Sequence, residues 1–316
     1  MVSAVLDSIL PVCLLLLLGA ALCRFRFLPE AFFAQMNRLG FWLLLPTLLF
    51  STIVKAPAAA GASGLRVGVL LCACSVAVTG LGWLTARLLR LEDGSTRALM
   101  QAAMRGNLAY TALPVLIYTF GEGSEAAATA AFALAPTIPF YNFWAVLILT
   151  KPKAGAAAGG GLARSLWRTL SAVLSNPLII GCGLGLLVLK SGLRLPAGLS
   201  SAVETLGRAA LPCALLSLGA GLTPERIRAS LKPAVAATAL KLLAMPLVGY
   251  ALAAAFGLRG DLLVIALLNL ASPCAVTSYV MADQMGADKE LAGSAIALST
   301  LCCLPVMALI LTLFRA

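Results

Sequence analysis

Arg105-Gly-Asn-Leu-Ala-Tyr-Thr-Ala-Leu-Pro114 and Asn269-Leu-Ala-Ser-Pro-Cys-Ala-Val-Thr-Ser278 are the stretches on which the fold turns. Each sets Asn-Leu-Ala and then a proline inside a long apolar run. A proline within a helix removes a backbone donor and biases the preceding residue away from helical geometry. In hydrocarbon the freed backbone groups need partners, so such breaks belong inside the protein or beside a water-filled cavity. The Asn, Ser and Thr side chains around each proline are suited to that task. The spacing therefore predicts two discontinuous helices.

The surrounding chain is built for a bilayer. Of its 316 residues, 61% are hydrophobic and only 11% charged, with a mean hydropathy of +1.00. A soluble domain carries about 25% charged residues, so a soluble enzyme is excluded. Without histidine, imidazole-based zinc sites and Ser-His-Asp chemistry are excluded as well. The nine cysteines show no CxxC spacing and read as small packing residues. No metal site and no cofactor is expected.

Apolar runs of about 20 residues span a bilayer. Ten are read, at 3–23, 36–54, 65–86, 98–120, 125–149, 168–189, 200–221, 230–256, 261–282 and 290–313. The first lacks a basic start and is followed by Arg24 and Arg26, unlike a cleaved signal peptide. The odd-numbered connections hold 14 of the lysines and arginines and the opposite side 6. By the positive-inside rule both termini face outward. In this setting the net charge of +11 orients the chain and does not imply nucleic acid.

The chain also repeats itself. Leu10-Pro11 is matched by Asn176-Pro177, and Leu45-Pro46 by Leu211-Pro212 at the same offset. Phe120-Gly121 and Met285-Gly286 follow, with Glu125 against Glu290, and then the two Asn-Leu-Ala stretches. A basic, Gly- and Ala-rich linker at 151–164 separates a five-span repeat (1–150) from a second one (165–316). Five is odd, so the second copy enters inverted. Inverted repeats with paired broken helices characterise secondary transporters. The expected fold is thus an all-α polytopic membrane protein of ten transmembrane helices in two inverted five-helix repeats, with helices 4 and 9 broken where they cross.

Three cations lie within spans: Arg105, Arg208 and Lys241. Arg208 has Glu204 one turn earlier as a partner. Lys241 sits about 16 Å into its span without a carboxylate within four residues, and Arg105 is equally unpaired; snorkelling to the interface is the structural alternative for both. Carboxylates are confined mostly to loops and span ends. Asp283 is the candidate for proton or cation coupling. Unpaired cations beside half-helix N-termini favour an anionic ligand. Gly181-Cys-Gly-Leu-Gly185 is read as close helix packing.

The stretches Arg105-Gly-Asn-Leu-Ala-Tyr with Leu113-Pro114, Asn176-Pro-Leu-Ile-Ile, Leu211-Pro-Cys-Ala-Leu-Leu-Ser-Leu-Gly, Leu240-Lys-Leu-Leu-Ala-Met-Pro246 and Ser272-Pro-Cys-Ala-Val-Thr-Ser resemble the auxin efflux carrier family, over nearly the whole chain. Bacterial members of that family are described as malate or malonate permeases. The resemblance implies an elevator-like movement, substrate binding where helices 4 and 9 cross, and crossover roles for Asn107, Pro114 and Pro273. Ala112 and Cys274 depart from the family's usual glycine and threonine. The short central loop is more like the bacterial members than the plant ones.

The expectation is a secondary transporter of small organic anions such as malate or malonate. Arg105, Asn107, Thr111, Pro114, Lys241, Asn269, Ser272 and Pro273 are the expected binding residues. The expected partners are the anion and the bilayer, the bacterial inner membrane, with a homodimer as an option and no nucleic acid. Alternatives are a sodium- or proton-coupled symporter of amphipathic acids, a non-transporting sensor, and an enzyme on prenyl lipids. The last needs clustered aspartates for magnesium, which the chain lacks.

Overall fold

The computed structural model describes residues 2–54, 62–121, 124–150, 171, 174–193, 195–221 and 224–314. The expected linker at 151–164 and the start of the sixth expected span lie outside them. The helices are α1 (Val2–Arg24), α2 (30–54), α3 (Ala62–Leu88), α4 (Asp93–Met104), α5 (108–120), α6 (Glu125–Leu149), α7 (Pro177–Ser191), α8 (Ala197–Gly221), α9 (224–253), α10 (Asp261–Leu270), α11 (Thr277–Gln284) and α12 (Lys289–Phe314). Among the described residues there is no strand, only an isolated antiparallel bridge between Gly106 and Cys274.

Four described helical stretches are long and apolar enough to cross a bilayer: Ala62–Leu88, Glu125–Leu149, Ser230–Ala253 and Lys289–Phe314. The segments at 98–120 and 261–282 each fall on two helices separated by a break. Large apolar side chains face outward all around, including Leu17 at 66% exposure, Leu187 at 66% and Trp42 at 59%. Water would make such a surface a liability, whereas lipid tails make it neutral.

Proline shapes three of the helices. Pro46, Pro114 and Pro246 each follow a π turn, at Gly40–Leu44, Leu108–Ala112 and Leu240–Ala244. A proline ring presses on the carbonyl four residues back, and a π turn widens the helix by one residue. The residue before each proline donates five positions back: Leu45 to the Gly40 carbonyl, Leu113 to Leu108 and Met245 to Leu240. The rings of Pro46 and Pro246 therefore meet an opened turn. Pro212 sits in α8 without such a turn, so the matched pairs Leu45-Pro46 and Leu211-Pro212 differ in local geometry.

The helices pack in two groups. In the first, α1 lies along α8 and α2 lies against α7 and α8. In the second, α3 packs on α4 and α6, while α9 packs on α12, α4 and α3. Each group draws helices from both halves of the sequence.

Glycine sets how close these helices come. Gly19 faces the Leu216 backbone and Gly219 faces the Leu16 backbone, a reciprocal contact between α1 and α8. A Cβ on Gly181 would lie 2.6 Å from the Pro46 carbonyl oxygen, so the small-residue reading of that stretch holds at Gly181. Helices in lipid gain from such backbone approach, because apolar burial alone does not drive them together. Gly219→Leu is expected to force α1 from α8 and cost about 1–3 kcal/mol or more. Its check is the melting temperature in detergent, which should fall by several degrees; an unchanged melt would show that this contact is dispensable.

Candidate functional site

The two breaks meet. Helix α4 ends at Met104, and Arg105 turns extended with φ −98° and ψ 110°. Gly106 and Asn107 continue to the π turn that opens α5. On the other strand of the crossing, α10 ends at Leu270 and the chain runs through Ser272, Pro273 and Cys274 to α11. Asn107 N donates to the Pro273 carbonyl at 2.8 Å, and Ala275 N donates to the Arg105 carbonyl at 3.0 Å. Each break thus satisfies backbone groups of the other, the requirement for irregular chain in an apolar interior.

Side chains complete this accounting. Ser272 Oγ donates to the Asn269 carbonyl at 2.7 Å, and Lys241 Nζ donates to the Leu270 carbonyl. These are carbonyls at the C-terminal end of α10, where a positive charge also suits the helix dipole. Cys274 N donates to Ser299 Oγ of α12 at 2.9 Å.

A pocket opens beside the crossing, between the two helix groups. Its polar wall holds Arg105, Asn107, Tyr141, Asn142 and Thr277. Leu45, Leu48 and Leu49 of α2 with Leu211 of α8 form the facing apolar wall. Leu108 and the run Ala275, Val276 and Thr277 place the starts of α5 and α11 on the same pocket. Neither start carries a side-chain cap. Helix N-termini without a cap present N–H donors and partial positive charge to a ligand. Among the described residues no carboxylate lines the pocket.

The expected site residues divide between this pocket and the layer behind it. Arg105, 6% exposed, and Asn107, 7% exposed, line the pocket. Pro273 lies behind Asn107 and contributes its carbonyl to the crossing. Lys241 is fully buried and makes no ion pair among the described residues. It packs directly behind Gly106, where an added Cβ would lie 3.2 Å from both Cε and Nζ. It does not snorkel. Ser272 and Asn269 are also fully buried; Asn269 Nδ2 donates to the Ile265 carbonyl at 2.8 Å, while its Oδ1 has no partner. Thr111 is buried within the π turn, and Pro114 stands at the start of the regular helical part of α5.

Asp283 lies apart from the crossing. It pairs with Lys289 at 2.8 Å and accepts from Asn37 Nδ2 at 3.3 Å, an end-of-helix position tying α11 to α2 and α12. Arg208 pairs with Glu204 at 2.5 Å on an exposed face of α8.

Comparison with known proteins gives this site its setting. The model of the family described as membrane transport protein matches residues 4–311. The chain belongs to this family, the auxin efflux carriers. An uncharacterized transporter of Methanothermobacter thermautotrophicus is 28% identical over 297 residues, 93% of each chain. Auxin efflux carrier component 2 of Arabidopsis thaliana is 31% identical over 150 residues, covering 46% of this chain and 23% of that protein. Among solved structures, the sodium proton antiporter MjNhaP1 of Methanocaldococcus jannaschii superposes with a TM-score of 0.59 at 15% identity, over 96% of this chain and 92% of that one. That likeness concerns the fold alone. The family and these relatives are transporters, and this auxin efflux carrier family member is a membrane transporter.

Three residues of its site escaped sequence reasoning. Tyr141, Asn142 and Ser299 sit in runs that read simply as apolar spans. The legible signal was Asn142, an amide inside a membrane helix and costly there unless it has partners. Arg97, one residue before the expected span at 98–120, is buried, donating to the Leu149 carbonyl at 2.5 Å and the Gly286 carbonyl at 3.0 Å. It fastens the ends of α4, α6 and α11 together on one side of the crossing.

Proposed function

We propose that this carrier is a secondary transporter of small organic anions such as malate, malonate or other carboxylates, working by alternating access. The carrying observation is the pocket at the crossing, which joins a buried arginine and two uncapped helix starts and, among the described residues, has no carboxylate. A carboxylate bound there would replace its water shell with N–H donors from Arg105, Asn107 and the helix starts. In this reading the chain makes ten crossings as two inverted five-helix repeats (1–150 and 165–316), sits in a bacterial inner membrane with both termini outside, and uses Arg105, Asn107, Thr111, Pro114, Lys241, Asn269, Ser272 and Pro273 at or behind the site. Asp283 remains the coupling candidate.

The apolar wall of Leu45, Leu48, Leu49 and Leu211 favours a second reading within the same class. An acid with an apolar body would fill that wall, as a sodium- or proton-coupled symporter of amphipathic acids requires. The two readings part on substrate and on ion dependence.

The test is uptake of labelled malonate, malate and indole-acetate into proteoliposomes, with membrane potential, sodium and pH gradients imposed separately. Saturable uptake is expected, and Asn107→Ala should weaken it about tenfold to a hundredfold, the worth of one hydrogen bond to a charged group at about 1.5–3 kcal/mol. Binding without flux, seen as thermal stabilisation, would make the protein a sensor. Neither binding nor flux for any carboxylate would overturn the anion reading.

A further inference from the structure

Helix α6 contributes Ile138, Tyr141 and Asn142 to the pocket, positions three and four apart that share one helix face. Asn142 is only 1% exposed. Its Nδ2 donates to the Ile138 carbonyl one turn back at 2.8 Å, which commits the nitrogen and leaves Oδ1 pointing the other way. Arg105 Nη2 donates to that oxygen at 2.7 Å. The guanidinium's other side-chain partner among the described residues is the Met281 sulfur.

Both partners are neutral, and a thioether is a weak acceptor. A guanidinium has five N–H donors in a fixed fork. Held, among the described residues, by one amide oxygen and one sulfur, it keeps its charge and much of its donor capacity. A carboxylate in place of Asn142 would hold the group equally well and cancel the charge. The amide thus does what a carboxylate could not: it orients the cation and leaves it electrostatically open.

We propose that Asn142 is the positioning residue that aims Arg105 at the pocket and preserves its charge for the carboxylate of the transported anion. This rests on the anion-carrier reading above. In this arrangement Asn142, itself on the pocket wall, acts on the anion through Arg105. Its amide identity, not its volume, sets the affinity for anions.

The test compares Asn142→Asp, Asn142→Leu, Arg105→Gln and the double variant Arg105→Gln/Asn142→Leu in proteoliposomes, with labelled malonate and indole-acetate as probes and KM separated from maximal rate. Asn142→Asp keeps shape and acceptor, gives up the donor to the Ile138 carbonyl and supplies a charge, and is expected to raise KM at least tenfold. A packing role predicts an unchanged KM for this isosteric variant, and that result would overturn the proposal. Asn142→Leu should also raise KM, yet add nothing in the Arg105→Gln background, because two residues acting through one interaction are not additive. Multiplying losses in the double variant would overturn it equally. If Asn142→Asp fails to insert, the leucine cycle decides alone. Wild-type protein that neither transports nor is stabilised by any carboxylate overturns both readings, whereas normal wild-type uptake with an unmoved Asn142→Asp overturns this one only.

Discussion

Gly106→Val should abolish uptake and leave little well-folded carrier. Gly106 stands at the crossing, bridged to Cys274. A Cβ there would overlap Ser272 Oγ and come within 3.2 Å of Lys241 Cε and Nζ. Lys241 and Ser272 are both fully buried and each already serves a carbonyl at the end of α10, so moving either aside gives up those bonds. With the bulk of valine the strands of the crossing are expected to separate. That breaks the paired hydrogen bonds from Asn107 N and Ala275 N. Each backbone group left unpaired in the interior costs about 1–3 kcal/mol, and overpacking adds about 1–3 kcal/mol more. Several kilocalories is a large share of the stability of any domain. Gly106→Ala should show the same defect in milder form. Uptake together with size-exclusion profile and melting temperature in detergent makes the check; wild-type uptake by the valine variant would show that the crossing is not where the anion binds.

The second large effect is expected at Lys241, where function and stability should part. Lys241→Met keeps much of the side chain's volume and removes its charge. A unit charge one residue behind the pocket wall, on the order of 8 Å from a bound carboxylate, contributes about 2 kcal/mol at an effective dielectric of about 20. Affinity for the anion should therefore fall about 30-fold. Stability should change little, because two terms oppose each other. Losing the bond to the Leu270 carbonyl costs about 1–3 kcal/mol. Relieving the burial of a lone cation returns several kcal/mol. The expected result is weak uptake from a protein that melts within a few degrees of wild type. A variant that melts far lower but binds malonate normally would make Lys241 a structural cap of α10. Lys241→Gln, which keeps a donor for Leu270, separates the hydrogen bond from the charge: it too should lose affinity if the field is what matters.

Much of the site was legible before any coordinates. The two Asn-Leu-Ala stretches marked where the breaks fall, but only Pro273 lies within one; Pro114 follows the π turn of α5, past the break at Arg105–Asn107. Arg105 and Lys241 stood out because an unpaired cation inside a span is expensive. What composition could not separate was pocket from support. Asn107 and Asn269 look equivalent in sequence, yet Asn107 lines the pocket while Asn269 is fully buried against Ile265. Ser272 and Thr111 were grouped with the ligand-facing residues, and their side chains lie outside the pocket lining. A hydroxyl in a membrane helix satisfies backbone as readily as it binds a ligand, and one-dimensional spacing holds nothing to tell the two apart.

By itself the sequence determined the solvent of the fold, its helical class, the places where helices must break and the sign of charge gathered around those breaks. These follow from local rules: apolar runs long enough for a bilayer, proline's missing donor, and the cost of a cation in hydrocarbon. Only the tertiary structure decided that the two breaks hydrogen-bond to each other, that Lys241 lies behind Gly106 and not in the pocket, and that Asn142 holds Arg105. Those contacts join residues between 37 and 170 positions apart along the chain. They depend on the rotation and depth of each helix against its neighbours, which small-residue contacts such as Gly19 against Leu216 set and which no single helix encodes.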